Sequence, residues 1–218
     1  MKKLIVLLFL APISLVAQQN TAEWHLGIST RLEVSAMNIH NINESSEAQY
    51  GFTSGLTIGY NLSPRLTLLT GISYGIKNIS HTQGGLTFGS DIDPTYGFTG
   101  SSDLITEIQL GDIEIPLQMK YFLFKQFYVR TGLGINFLNE RSVQRTLMYT
   151  DGTNTTLTSN PDSYLNSSAT LGFGYMQPIG EKFNFNIEPF IKYYFRENTI
   201  PVTHLYNIGV NASLTLKL

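Results

Sequence analysis

The chain has 218 residues, of which 42% are hydrophobic and only 14% charged, with a formal net charge of −2 and no cysteine. An ordinary soluble domain carries about 25% charged residues, so a soluble surface is hard to build from this composition, and a nucleic-acid partner, which usually needs a basic face, is not indicated. The lack of cysteine excludes a disulfide framework and a lipid anchor on an N-terminal Cys.

The chain opens MKKLIVLLFLAPISLVAQQ, with Lys2 and Lys3, an apolar run from Leu4, then small or polar residues. This is the layout of a secretory signal peptide, and the run is too short to span a bilayer stably. Cleavage is expected after Ala17, which divides the chain into a signal peptide, residues 1–17, and a single domain, residues 18–218. It removes two of the 14 basic side chains, leaving 12 against 16 acidic ones, a net charge of −4.

Beyond that point apolar and other residues alternate with a period of two, the mark of strands with one oily face. The first run sets Trp24, Leu26, Ile28, Leu32 and Val34 against His25, Gly27, Ser29, Arg31 and Glu33. The second sets Phe52, Leu56, Ile58 and Tyr60 against Thr53, Gly55, Thr57 and Gly59. In the third, Leu66, Leu68, Ile72, Tyr74 and Ile76 share a parity that Leu69 breaks. The fourth, DIEIPLQMKY at 112–121, puts Ile113, Ile115, Leu117, Met119 and Tyr121 on one face and Asp112, Glu114, Gln118 and Lys120 on the other, with Pro116. Just before it, Ile108 and Leu110 have the opposite parity, so a bulge is expected near Gly111 to restore the facing. Four further runs repeat the pattern: Phe127 to Phe137 with Arg130 on the polar parity, Leu165 to Tyr175, Phe183 to Phe195 with Glu188, Lys192 and Arg196, and Tyr206 to Leu218.

Eight strands of this kind predict an all-β fold, an eight-stranded antiparallel up-and-down transmembrane β-barrel. Hydrocarbon offers backbone groups no partners, so a sheet can cross it only when closed. The apolar parity then meets lipid, and the parity rich in glycine and ions is the lumen. Connections support this by alternating: NLSP, LFKQ and IGEK are tight turns, whereas 38–49, 81–104, 139–163 and roughly 197–202 are longer and polar. Outer-membrane barrels have short periplasmic turns and long outer loops, which places both termini in the periplasm of a Gram-negative bacterium. The soluble alternative is a secreted lipocalin-like cup with its apolar face inward, and its surface would be poor in charge.

An eight-stranded barrel is only wide enough for side chains to fill, and unpaired buried ions are costly. Arg31, Glu33, Glu114, Lys120, Arg130, Glu188, Lys192 and Arg196 are therefore expected to interlock as a salt-bridge plug, whose rearrangement would open a narrow ion path in the transporter alternative. The four histidines are scattered: His25 is expected in the lumen near the periplasmic end, and His40, His81 and His204 in or beside outer loops as solvated groups. A lipid-modifying enzyme would need a nucleophile, base and acid in contact, and Ser80, His81 and Glu107 form the one grouping available. Asp91, Asp93 and Asp103 lack an ordered calcium-loop spacing. No metal or cofactor is expected, nor catalytic residues. Leu86, Phe88, Tyr96 and Phe98 in the same loop could fold over the barrel mouth or meet a partner. Aromatic belts are expected from Tyr60, Tyr121, Phe127, Tyr175 and Phe183 near the turns, and from Tyr50, Phe137, Tyr164 and Phe195 near the loops.

The run IEIPLQMKY, a short aromatic turn, then FYVRTGLG, with the signal peptide and the terminal LTLKL, resembles the outer-membrane β-barrel family common in Bacteroidetes, often called PorT-like, from about Trp24 to Leu218. The resemblance implies a small OmpA/OmpX-type barrel inserted by the barrel-assembly machinery, which reads the last strand, and surrounded by outer-membrane lipid and lipopolysaccharide. The namesake is an accessory of type IX protein secretion, which makes an envelope protein the partner to expect. The reading is thus a non-enzymatic integral outer-membrane protein with a structural or interaction role.

Overall fold

A computed structural model describes residues 23–37, 44–87, 101–149, 154–158, 163–195 and 205–218. The signal-peptide expectation, Arg196, His40, His204, Asp91, Asp93, Phe88, Tyr96 and Phe98 lie outside those residues. In chain order the strands are β1 (Trp24–Met37), β2 (Glu44–Glu47), β3 (Gln49–Ser63), β4 (Leu66–Thr87), β5 (Ser101–Phe122), β6 (Phe127–Tyr149), β7 (Asn154–Thr158), β8 (Ser163–Ile179), β9 (Phe183–Tyr194) and β10 (Leu205–Lys217).

Eight of them form a ring, each antiparallel to its neighbours, in the order β1, β3, β4, β5, β6, β8, β9, β10. β10 returns to β1 with Ile28 opposite Leu214, which closes the cylinder. Closure pairs the backbone of both terminal strands and removes the edges that lipid could not tolerate. Leu117, Leu32, Leu133 and Ile28 are more than half exposed on the outer face, whereas Asn136, Glu114 and Lys192 are fully buried within. The lipocalin-like arrangement, which needs the reverse, is excluded by that facing. The Trp24 ring lies tilted against Tyr60 at 4.8 Å and Phe127 against Tyr175 at 5.2 Å between centroids, two aromatic contacts at the turn end.

Two strand prolines, Pro116 and Pro189, sit where a ladder is interrupted. The β4–β5 register runs from Leu117 opposite Thr70 to Glu114 opposite Ser73, and skips Pro116. The β8–β9 register jumps from Gly172 opposite Phe190 to Tyr175 opposite Ile187, and skips Pro189. A proline has no N–H to donate, so the missing rungs fall where none could form. The Pro116 carbonyl instead accepts from the Thr70 hydroxyl at 2.9 Å.

The tight connections behave as expected. In the β3–β4 turn Ser63 Oγ accepts from the Arg65 and Leu66 amides at 3.2 and 3.0 Å. In the β8–β9 turn Gly180 holds φ +65°, a conformation that favours glycine. The long connections differ from expectation: β4 and β5 are 22 residues each and β6 is 23, so much of 81–104 and 139–163 is strand. Crossing takes about 9–11 residues, and the short turns fix one end, so the excess lies at the loop end. There β2 adds to the edge of β4 and β7 to β6.

The expected bulge at Gly111 does not occur on β5. The extra residue lies across the ladder on β6, where Gln109 faces Ser142 and Leu110 faces Glu140, leaving Arg141 unpaired. β5 keeps one parity, so Ile108 and Leu110 point inward, not to lipid. With Ile79, Leu138, Val143, Tyr194 and Leu205 they form an apolar cluster inside the loop end. Tyr164 packs against this cluster, so it belongs to the interior and not to an aromatic belt. His81 is likewise buried on the inner side of β4, not solvated in a loop.

Candidate functional site

Alternation gives each strand one inward residue in every two, so ions spaced by two along a strand point into the lumen together. Arg31 and Glu33 on β1, Lys77 on β4, Asp112 and Glu114 on β5 and Lys192 on β9 meet at one level, all buried. Arg31 Nη2 lies 2.5 Å from Glu114 Oε2, and it also donates to Ser73 Oγ at 2.9 Å. Lys192 Nζ bridges Glu114 at 3.0 Å and Asp112 at 3.8 Å. Lys77 lies 3.2 Å from Asp112 Oδ2 and donates to Glu33 Oε1.

Three cations thus alternate with three carboxylates across the barrel, and the layer is neutral. Neutral donors serve Glu33 Oε1 and both Asp112 oxygens, whereas Glu33 Oε2 and Glu114 Oε1 have no hydrogen-bond partner among the described residues. Thr53 Oγ1 donates to Glu33 at 3.0 Å, Asn136 Nδ2 to Asp112 Oδ1 at 3.0 Å, and the Tyr194 hydroxyl to Asp112 Oδ2 at 2.9 Å. Ser168 in turn donates to Asn136 Oδ1 at 2.7 Å. Buried charge is tolerated when paired and hydrogen-bonded in this way. Phe190, buried from β9, presents its ring 5.9 Å from the Arg31 guanidinium.

Two members of this layer, Lys77 and Asp112, are absent from the eight interior ions named from the sequence as a network. Lys77 continues the inward parity of Ser73 and Gly75 by one step, so extending the third run beyond Ile76 would have found it. Asp112 stands two residues before Glu114 on the same face.

The other sequence-predicted ions are elsewhere. Arg130 on β6 pairs with Glu188 on β9, nearer the turns. Among the described residues no carboxylate lies within salt-bridge distance of Lys120 on β5: its Nζ donates to Asn186 Oδ1 at 2.7 Å and lies 3.8 Å from the Tyr128 ring centroid. Room for these large groups comes from the glycines opposite. Arg130 faces Gly172 and Tyr128 faces Gly174 in the β6–β8 register. A Cβ at Gly172 would meet the Glu188 carboxylate, and one at Gly174 the Tyr128 ring.

Ser80, His81 and Glu107 do not form a catalytic grouping. Ser80 and His81 are neighbours on β4 and so face opposite sides of the sheet. Ser80 and Glu107 are register partners, whereas His81 points into the lumen. Asp103 accepts from the Gly85 amide at 3.2 Å. Among the described residues no group of three or more His, Asp or Glu could hold a metal ion.

A closed ring of apolar-coated strands around an ionic core is a transmembrane barrel, and the outer membrane protein beta-barrel domain matches residues 16–195 of the sequence. The chain belongs to this family. Members of the outer membrane protein beta-barrel family are outer-membrane proteins, and the apolar coat of this one meets lipid there. The match does not single out the PorT-like subgroup. No curated protein matches the chain. Similar solved structures include Ail, the attachment invasion locus protein of Yersinia pestis, in complex with the heparin analogue sucrose octasulfate, at 10% identity over 88% of this chain and 99% of Ail, with a TM-score of 0.44. Neisserial surface protein A is similar at 11% identity over 88% of this chain and 97% of its own, with a TM-score of 0.43. The outer membrane protease OmpT from Escherichia coli is similar at 9% identity over 93% and 100%, with a TM-score of 0.42.

Proposed function

We propose that this barrel is a non-conducting, non-enzymatic protein of the outer membrane with a structural and interaction role, its termini and short turns in the periplasm and its long loops outside. The observation that carries this is the double closure of the lumen. A neutral layer of six ions spans the cylinder, and an apolar cluster fills the loop end beyond it. A hydrated ion following the axis would have to break the first and dewet the second. With transport unsupported, and Ser80, His81 and Glu107 unassembled, the surfaces are left to carry the function. The loop end offers most, because β4, β5 and β6 continue past the membrane as a sheet edged by β2 and β7.

Planar-bilayer recording of the refolded barrel tests the closure, and single-channel steps of reproducible size would overturn it. Lipid A mass spectrometry with and without the protein tests the non-enzymatic part. Affinity purification from the native envelope in mild detergent tests the interaction role. Secretion components in the eluate would support the finer reading that the PorT-like resemblance implies, an accessory of protein secretion.

A further inference from the structure

The lumen below the ion layer is not filled. At the turn end a cavity of about 390 Å³ opens between the β3–β4 and β5–β6 turns, a size within the range of small-molecule sites, about 300–1,000 Å³. Its polar wall includes His25, Asn61, Thr67 and Asn184, its apolar wall includes Leu69 and Phe122, and Lys120 reaches into it.

The charge here is unbalanced. Lys120 and Arg130 are direct partners in the β5–β6 register, an arrangement in which like charges repel. Among the described residues one carboxylate, Glu188, serves the two, and it is paired with Arg130. The Lys120 ammonium has three donors; Asn186 takes one, and the Tyr128 and Phe122 rings stand 3.8 and 5.0 Å away at their centroids. The mouth adds Arg65, Lys125 and Lys217 against Glu23. A cation without a counter-ion, in a cavity with a basic rim and an apolar wall, suits one kind of occupant.

We propose that this vestibule binds a small organic anion, a single carboxylate or phosphate group carried on an apolar body, with the anionic group on Lys120 and the body against Leu69 and Phe122. This site is independent of the loop-end role argued above, since it opens at the opposite end of the barrel.

The test is calorimetric titration of the refolded full chain in neutral-lipid nanodiscs, with empty nanodiscs as the blank. Phenylacetate and phenyl phosphate are the probes, which separate carboxylate from phosphate preference; acetate and uncharged phenylacetamide are the comparators. Saturable binding of at least one probe at one site per barrel is expected. Losing the charge in phenylacetamide, or the lysine in Lys120→Met, should weaken it at least about tenfold, on the scale of a charge-assisted hydrogen bond. Lys120→Arg should retain binding, and Arg145→Ala, in the loop-end part of β6, should not alter it. Lys120→Met removes an unpaired cation and should fold; if it does not, Arg65→Ala with Lys125→Ala, both in turns, should weaken binding instead. No saturable binding, equal affinity for phenylacetamide, or undiminished binding in the charge-removing variants would overturn the proposal.

Discussion

Glu114→Gln isolates the electrostatics of the ion layer, because glutamine keeps the shape of glutamate and removes only its charge. Glu114 is fully buried, and its Oε2 receives Arg31 at 2.5 Å and Lys192 at 3.0 Å. After the substitution three cations share two carboxylates and the layer carries a net positive charge. Removing one partner of a buried ion pair costs about 3–5 kcal/mol. Lys192 keeps Asp112 at 3.8 Å as an alternative, so the lower end of that range applies. Urea unfolding of the barrel in lipid vesicles, followed by the fluorescence of Trp24, the one tryptophan, measures it. With a slope of about 2 kcal/mol per molar urea, a loss of about 3 kcal/mol lowers the midpoint by roughly 1.5 M. Adding Arg31→Met restores neutrality, and the double variant should recover about 2 kcal/mol of that loss, because a neutral replacement of a buried pair is often nearly free. A midpoint for Glu114→Gln within about 0.3 M of the parent, or strictly additive single costs, would refute the reasoning.

Three further outcomes test other parts of the structure. Leu133→Arg, on the outer face midway along the membrane part of β6, is expected to cost about 2–4 kcal/mol in vesicle refolding equilibria, against about 0–1 kcal/mol for Tyr121→Arg near the turn; equal costs would argue against a lipid slab at that level. Gly172→Ala drives a Cβ into the Glu188 carboxylate and is expected to cost about 1–3 kcal/mol by overpacking, read as a lowered urea midpoint. Ile28→Cys with Leu214→Cys, in a chain without native cysteine, is expected to form a disulfide across the closing seam under mild oxidation, visible as a gel shift. Ile28→Cys with Ser213→Cys should not, because neighbouring positions on β10 face opposite ways.

The membrane part of the fold was legible because lipid outside and ions inside impose the strict period of two seen in runs such as Ile113 to Tyr121. Beyond the bilayer that contrast fades while the hydrogen-bonded ladder continues. That is why 81–87 and 139–149 read as loop and yet are strand, and why the four-residue β2 and five-residue β7 left no signal. The rule that an apolar residue faces lipid also fails at the loop end. Ile108 and Leu110 point inward because the lumen there is dry, and the bulge that looked necessary on β5 sits at Arg141 on β6. The ion layer was half legible: parity identifies inward ions such as Arg31 and Lys192, but not which strands meet at one level, since that depends on the stagger of eight registers. Lys77 was missed because the third run was ended at Ile76, Asp112 was left out of the network although its parity already put it on the ion face, and Lys120 was assigned to a network it does not reach.

That stagger also explains why the ions are inside at all. Lipid makes no residue-specific contacts, so sliding a strand by two residues still turns its apolar side chains outward. A one-residue slip would expose every ion, but the hydrophobic coat alone cannot forbid the two-residue slip. Inside, the same slip would take Glu33 away from Lys77 and, depending on its direction, set Arg130 against Thr170 or Tyr128 against Met176 in place of a glycine. Each of these couples a large or charged group to one position on another strand. The register of this barrel is therefore specified by its lumen, and the low overall charge is concentrated where it can do that.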